Sequence, residues 1–266
     1  MKTEKLLVLF VLNLLFFASC ERNNYLDLNG KLKHISYVES IESKKGGMII
    51  AQYEYDKHGR ISKVSQPKYE NGTSMYENGT IIGLLSYSDY VYNKKGLLEK
   101  IIYYNSNIYE GFINLQTHTY SYDKNGNKQK EVIEYPRAAP FQTDSTLYYY
   151  DNNRLIREDK YSDGYYGSEI WTSKLIAYTE YEYDNQGRLV KETNYSGTDN
   201  TPLQFSVHSY QNGLNVKTEI FNSNNEQKIR EIRRHYDKNS NLIYLEHEEL
   251  SIYSSSMSYV AKYDYY

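Results

Sequence analysis

The chain of 266 residues contains one cysteine, four prolines and one tryptophan. With Cys20 alone, no disulfide can form within the chain, and any zinc site would have to do without paired thiolates. The six histidines, His34, His58, His118, His208, His235 and His247, show no pair at metal-ligand spacing, so neither a metal nor another cofactor is expected. No glycine-rich phosphate loop opens a helix and no serine or cysteine nucleophile motif occurs, which argues against an enzyme. The segment Asp123-Lys124-Asn125-Gly126-Asn127 resembles the start of a calcium loop. Its glycine stands two places early and no glutamate closes the loop at position twelve, so it reads as a turn. A net charge of −3 without a basic stretch excludes nucleic acid as the expected partner. The apolar run from Leu6 to Phe17 is too short for an ordinary membrane helix.

What the chain has is tyrosine, 33 of them against seven phenylalanines. They fall in a recurring phrase, seen as Tyr53-Glu54-Tyr55-Asp56-Lys57-His58-Gly59-Arg60-Ile61-Ser62-Lys63 and again around Tyr90, Tyr120, Tyr148, Tyr181, His208 and Arg234. The turns of the phrase lie at Gly30, Gly59, Gly96, Gly126, Asn153, Gly187, Gly213 and Ser240, between 26 and 37 residues apart. Such periods mark repeated supersecondary units that need neighbours to bury their faces. Within each unit the alternation has period two and is rich in Tyr, Ile, Val and Thr, which predicts strand, turn, strand. Asp56 and Gly59 occupy the first and fourth positions of a type I turn with a left-handed glycine, and Asn152-Asn153 suits a two-residue type I′ loop. The aspartates Asp56, Asp123, Asp151, Asp184 and Asp237 are therefore turn starters rather than paired catalytic carboxylates. All four prolines, Pro67, Pro136, Pro140 and Pro202, fall in the longer links between hairpins, where a missing amide donor does no harm.

Counting outward from each turn predicts Asp56 opposite Arg60, Tyr55 opposite Ile61, Glu54 opposite Ser62 and Tyr53 opposite Lys63. The same count sets Tyr90 against Lys100, Tyr120 against Lys130, Tyr148 against Arg157, Tyr181 against Lys191, His208 against Lys217 and Arg234 against Tyr244. The expected result is a column of rings beside cations on a semi-wet face, with lysine stems lying across the tyrosines. Eight turns imply an all-β antiparallel hairpin meander of about sixteen strands, curved or barrel-like; whether the first strand meets the last is left open. The longest link holds a duplication, Tyr69-Glu70-Asn71-Gly72-Thr73 and Tyr76-Glu77-Asn78-Gly79-Thr80, and each Asn-Gly is a turn signal.

Two resemblances add to this. Phe17-Ala18-Ser19-Cys20, after Lys2, Lys5 and the short apolar run, resembles the lipobox of bacterial lipoproteins, with phenylalanine where leucine is more usual. That resemblance implies a signal peptide over 1–19, lipidation of Cys20, a polar tether over 20–24 and a repeat domain over 25–266, held at the outer membrane. The phrase Tyr-x-Tyr-Asp-x-x-Gly-Arg-Leu, clearest at Tyr181-Glu182-Tyr183-Asp184-Asn185-Gln186-Gly187-Arg188-Leu189, resembles the YD repeats of the Rhs family, which build β-cages. Together the two resemble small bacterial lipoproteins of unknown function with a porin-like fold, and imply no known activity.

The functional expectation is a non-catalytic envelope module that binds glycan or protein, with Tyr53, Tyr90, Tyr120, Tyr148, Tyr181 and Trp171 as candidate contact residues. An accessory that docks to another envelope protein is the alternative. A membrane-spanning barrel is disfavoured by charges on both strand faces and a mean hydropathy of −0.77.

Overall fold

The structure, a computed structural model, describes residues 31–38, 48–70, 73–77, 80–107, 109–137, 142–166, 169–250 and 258–265. The segment 1–30 with Cys20 and Gly30, and the Asn71-Gly72 and Asn78-Gly79 turns, lie outside the described residues. In chain order the strands are β1 (Leu32–Val38), β2 (Met48–Tyr55), β3 (Ile61–Pro67), β4 (Tyr69–Glu70), β5 (Thr73–Ser74), β6 (Tyr76–Glu77), β7 (Thr80–Ile81), β8 (Leu84–Tyr92), β9 (Leu98–Asn107) and β10 (Gly111–Tyr122). There follow β11 (Lys128–Tyr135), β12 (Gln142–Asp151), β13 (Arg154–Tyr166), β14 (Glu169–Tyr183), β15 (Leu189–Ser196), β16 (Pro202–Gln211), β17 (Leu214–Asn222), β18 (Lys228–Tyr236), β19 (Leu242–Glu249) and β20 (Tyr259–Tyr265). Sixteen of them form one antiparallel barrel in chain order, closed by pairing of β1 with β20. The duplicated phrase makes two small hairpins outside the barrel, β4 with β5 and β6 with β7.

The turns are those the residues dictate. In the Asp56 turn the Gly59 amide donates to the Asp56 carbonyl at 2.9 Å, and the Asp56 carboxylate accepts the amides of His58 and Arg60 at 2.8 and 3.0 Å. Gly59 has φ +77, where a side chain would be strained. Asn93, Asp123, Asp184 and Asp237 repeat the arrangement. Asn152 and Asn153 both take positive φ, as the type I′ loop requires.

The register beyond the first pair differs from the count. Tyr55 does face Ile61, but Glu54 then faces Lys63 and Tyr53 faces Val64, because Ser62 bulges out of the ladder. The same slip occurs in every hairpin. Tyr90 faces Ile101, Tyr120 faces Glu131, Tyr148 faces Glu158, Tyr181 faces Glu192, His208 faces Thr218 and Arg234 faces Leu245. The expected ring-beside-cation column within each hairpin is therefore corrected. One extra residue per return strand moves Lys63, Lys100, Lys130, Arg157, Lys191 and Lys217 to the outer wall, where water solvates them, and leaves the tyrosines inside. Ring and cation still meet, but between neighbouring units: Arg60 lies 4.2 Å from the Tyr92 ring centroid, Arg188 5.0 Å from Tyr210 and, on the outer wall, Lys63 4.1 Å from Tyr87.

A bulge disrupts the ladder locally and strengthens the twist. Here it also leaves the carbonyl of the residue before the bulge free for a tyrosine. The hydroxyl of Tyr92 donates to the Ile61 carbonyl at 2.8 Å, Tyr122 to Leu98 at 2.6 Å, Tyr183 to Leu155 at 2.7 Å, Tyr210 to Leu189 at 2.8 Å and Tyr236 to Asn215 at 2.9 Å. In each case the second tyrosine of one unit reaches the bulge of the unit before it.

The seam obeys the same rule. Tyr265 faces Leu32, Lys33 bulges, and Asp264 and Tyr263 face His34 and Ile35. Tyr55 donates to Leu32 at 2.7 Å and Tyr265 to Leu242 at 2.8 Å. The two ends of the chain thus supply the halves of an eighth hairpin.

Inside, an apolar cluster of Ile35, Ala51, Tyr53, Val64, Ile220, Ile232, Leu245 and Ala261 fills the part of the lumen lined by β17 to β20 and β1 to β3. Replacing a relay tyrosine by phenylalanine, as in Tyr122→Phe, strands a part-buried carbonyl and is expected to cost about 1 kcal/mol by urea denaturation. Tyr109→Phe, at a fully hydrated ring, is expected to leave the midpoint unchanged.

Candidate functional site

The opposite part of the lumen is polar, and its centre is Glu131. This residue arrives there because the bulge after Lys128 places it, rather than Lys130, opposite Tyr120. Its carboxylate pairs with His118 Nδ1 at 2.7 Å and accepts the Tyr148 hydroxyl at 2.8 Å. Lys128 Nζ sits between two rings, 4.7 Å from the Tyr120 centroid and 5.0 Å from that of Tyr148. The His118 ring in turn lies 4.8 Å from Tyr103. Burial by itself would raise the Glu131 pKa, but the hydrogen bonds from His118 and Tyr148 and the charge of Lys128 hold it down at about 2. Burial and the nearby Glu131 charge push the hydroxyls of Tyr103 and Tyr120 far above their usual range. A second such pair, Glu192 with His208 Nε2 at 3.2 Å, lies further round the wall.

These groups complete one another. Glu131 carries a charge matched by its own neighbours, His118, Tyr148 and Lys128. Among the described residues no group of three or more His, Cys, Asp or Glu side chains is placed to hold a metal ion.

The candidate contact residues are distributed accordingly. Tyr53 is 2% exposed in the apolar cluster. Tyr90 lies inside against Ile101, Tyr120 and Tyr148 belong to the Glu131 network, and Tyr181 faces Glu192. The structure brings Tyr120 and Tyr148 together through Lys128, and packs Tyr90 against the apolar cluster that holds Tyr53. The Trp171 backbone pairs with Gly164 near the tip of the β13 and β14 hairpin; its side chain lies outside what the structure describes. His118, Lys128 and Glu131 went unnoticed in the sequence because only the bulge reveals that they share a face.

The exposed apolar side chains lie elsewhere. The barrel has a turn end, where the seven hairpin turns gather, and a link end, where the chain passes between units. At or near the link end are Tyr109, 88% exposed, Ile82, 60%, and Leu203, 50%, with Leu115, Phe112 and Leu250 close by. Phe112 packs edge-on against Tyr87, which stacks on Tyr104 at 4.6 Å between centroids. The outer wall is charged. Lys217 pairs with Glu219 at 3.0 Å, Lys228 links Glu219 to Glu231, and Arg233 links Glu231 to Glu248 at 3.1 Å.

The barrel is similar in fold to a porin-like protein from Bacteroides uniformis, with a TM-score of 0.53 at 11% identity over 90% of this chain and 98% of that one. A porin-like protein from Bacteroides vulgatus matches over 90% of this chain and 99% of that one, with a TM-score of 0.35 at 11% identity. The TcdB2–TccC3 complex without its hypervariable C-terminal region matches over 86% of this chain and 16% of that one, with a TM-score of 0.28 at 12% identity. The last two superpose too loosely to support an argument. No protein-family model matches the chain, and no curated protein matches it in sequence.

Glu131 makes a prediction about acid. Its pKa is lower in the folded chain than the ordinary 4.5, so its stabilising effect is complete above that value and is lost as pH falls toward about 2. The loss is expected to be about 3 kcal/mol. Urea midpoints measured across that window should fall less steeply for Glu131→Gln than for the unaltered chain.

Proposed function

We propose that this chain is a non-catalytic envelope lipoprotein, tethered through Cys20 at the outer membrane, whose barrel binds a glycan or protein at its link end. The observation that carries the reading is the position of the exposed apolar side chains. Tyr109, Ile82 and Leu203, the three most exposed, project where the chain is least regular, whereas Val91, Tyr149 and Ile156 near the turn end are each 41% exposed and lie singly on the strands. Loops held by a rigid scaffold are the usual place for recognition, and exposed apolar groups gathered there mark a contact surface. The tyrosines of the repeat itself are engaged in the lumen and at the bulges.

The outer wall supports a barrel standing in water. A membrane-spanning barrel presents an apolar band about 25 Å tall to lipid. Here Arg233 and Glu248 are 44% and 45% exposed on the same wall, beside Lys217 and Glu219. The lumen does not read as a conduit either, because a sixteen-stranded pore would wet its lining, whereas Ile101 is fully buried and Val64 nearly so.

A second reading, an accessory docking to another envelope protein, is favoured by the aliphatic Ile82, Leu203 and Leu115, which offer a sugar ring nothing to stack on. Photo-crosslinkers at Tyr109 and Leu203 in intact cells separate the two. One stoichiometric protein adduct, missing from a crosslinker at Ile156, is expected for the accessory. A saturable change in tyrosine fluorescence with polysaccharide, lost in a Tyr109→Ala, Phe112→Ala chain, is expected for the glycan module. Neither response across a broad panel would contradict both.

A further inference from the structure

The turn end is a basic ring, and the geometry points to it as the face that lies on an anionic phospholipid surface. The inference rests on the reading above that the chain is held at a membrane, and adds which end faces it and what that end touches.

The first observation is where the chain enters the barrel. β1 begins at Leu32 at the turn end: its carbonyl accepts Tyr55 beside the Asp56 turn, and Lys31 Cε lies 3.6 Å from where a Cβ on Gly59 would stand. Whatever precedes Lys31 therefore joins the barrel at this end. The second observation is charge. Lys57, Lys94, Lys95, Lys124 and Lys238 occupy the central positions of four turns and are exposed, and Lys31 and Arg154 stand exposed beside them.

The acids of the same turns stay ionised but are held close against the turn backbone. Asp56, Asp123, Asp184 and Asp237 each spend their carboxylates on turn amides. Asp56 and Asp184 are also paired with Arg60 and Arg188 at 2.5 and 2.6 Å. Asp151 is exposed, and the next acids, the exposed Glu54, Glu99 and Glu182 and the part-buried Asp264, sit on the strands below. The lysine tips thus stand outermost on a rim whose carboxylates lie at the turn backbone or on the strands below, although the whole chain carries −3.

Neighbouring turns of the ring touch in two places. Asn127 Nδ2 donates to Asn153 Oδ1 of the next turn at 3.1 Å, and Arg60 Nη1 comes within 3.5 Å of the Cβ position of Gly96. A lysine held near an anionic bilayer gains about fivefold in partitioning, so two or three such contacts suffice to select the end that faces the headgroups. With the turn end down, the link end with Tyr109 and Leu203 points away from the membrane.

The test uses the exported chain as the cell processes it, reconstituted on vesicles of phosphatidylcholine alone or with phosphatidylglycerol. Single cysteines carry a fluorophore at the turn end, Asn239→Cys, or at the link end, Tyr109→Cys, and energy transfer to a headgroup dye reports their heights. On phosphatidylglycerol vesicles the Asn239 label is expected to lie nearer the bilayer. The difference should collapse at high salt, on phosphatidylcholine alone, and in a chain combining Lys57→Glu, Lys94→Glu, Lys95→Glu, Lys124→Glu and Lys238→Glu.

Equal heights on phosphatidylglycerol, or a difference unaffected by charge reversal, would overturn the assignment. So would equally tight capture of the ring by a soluble acidic polysaccharide. The mass of the processed N-terminus tests the anchor separately: an acylated chain without end preference refutes the ring alone, and an unacylated chain that still lands turn end down refutes the anchor alone.

Discussion

Each unit carries one more residue on its return strand than the outgoing strand can pair, and the carbonyl beside that residue must find a donor off the ladder. The second tyrosine of the next unit supplies it. This couples three things that a repeat protein otherwise adjusts separately: the bulge that bends the sheet, the spacing between units, and the identity of the side chain that immediately precedes each turn. A tyrosine can span that gap with a rigid ring and end in a donor, whereas phenylalanine fills the space without one. Tyr55, Tyr92, Tyr122, Tyr183, Tyr210, Tyr236 and Tyr265 answer this need.

The bulge also sorts charge. By turning each return strand over after its first pair, it sends the recurrent lysines and arginines to the outer wall and brings Val64 and Ile101, or Glu131, Glu158 and Glu192, to the inner one. The lumen divides accordingly. Where the inward partner is aliphatic the interior is dry and packed; where it is glutamate, His118, His208 and Lys128 have gathered to match the charge. The two ends differ as well: turn lysines stand at one, and Tyr109, Ile82 and Leu203 are exposed at or near the other.

Much of the fold was legible in the sequence because it rests on local chemistry. Asp56 to Gly59 and Asn152-Asn153 name their turns, and the period-two alternation names the strands. Sixteen strands followed by counting turns, although closure did not, since it depends on Tyr263 and Tyr265 meeting Ile35 and Leu32 across the whole length of the chain. The bulge was illegible for a different reason: Ser62, Glu99, Ile156 and Val190 share no residue type, and what marks them is a tyrosine hydroxyl bonded to the preceding carbonyl from 21 to 31 positions later. That single omission displaced every ring and cation by one place, and with them the candidate site. The link-end side chains were visible only as apolar residues in links, a signal too weak to single out Tyr109 or Leu203 beforehand.

The relay is most exposed to refutation at the seam, where no covalent turn holds the two strands in register. Amide hydrogen exchange of a Tyr265→Phe chain against the unaltered one tests it directly. If the tyrosine to carbonyl bond secures closure, the amides of β1 and β20 lose protection while those of β12 and β13 keep theirs; unchanged protection throughout β1 and β20 would contradict the account.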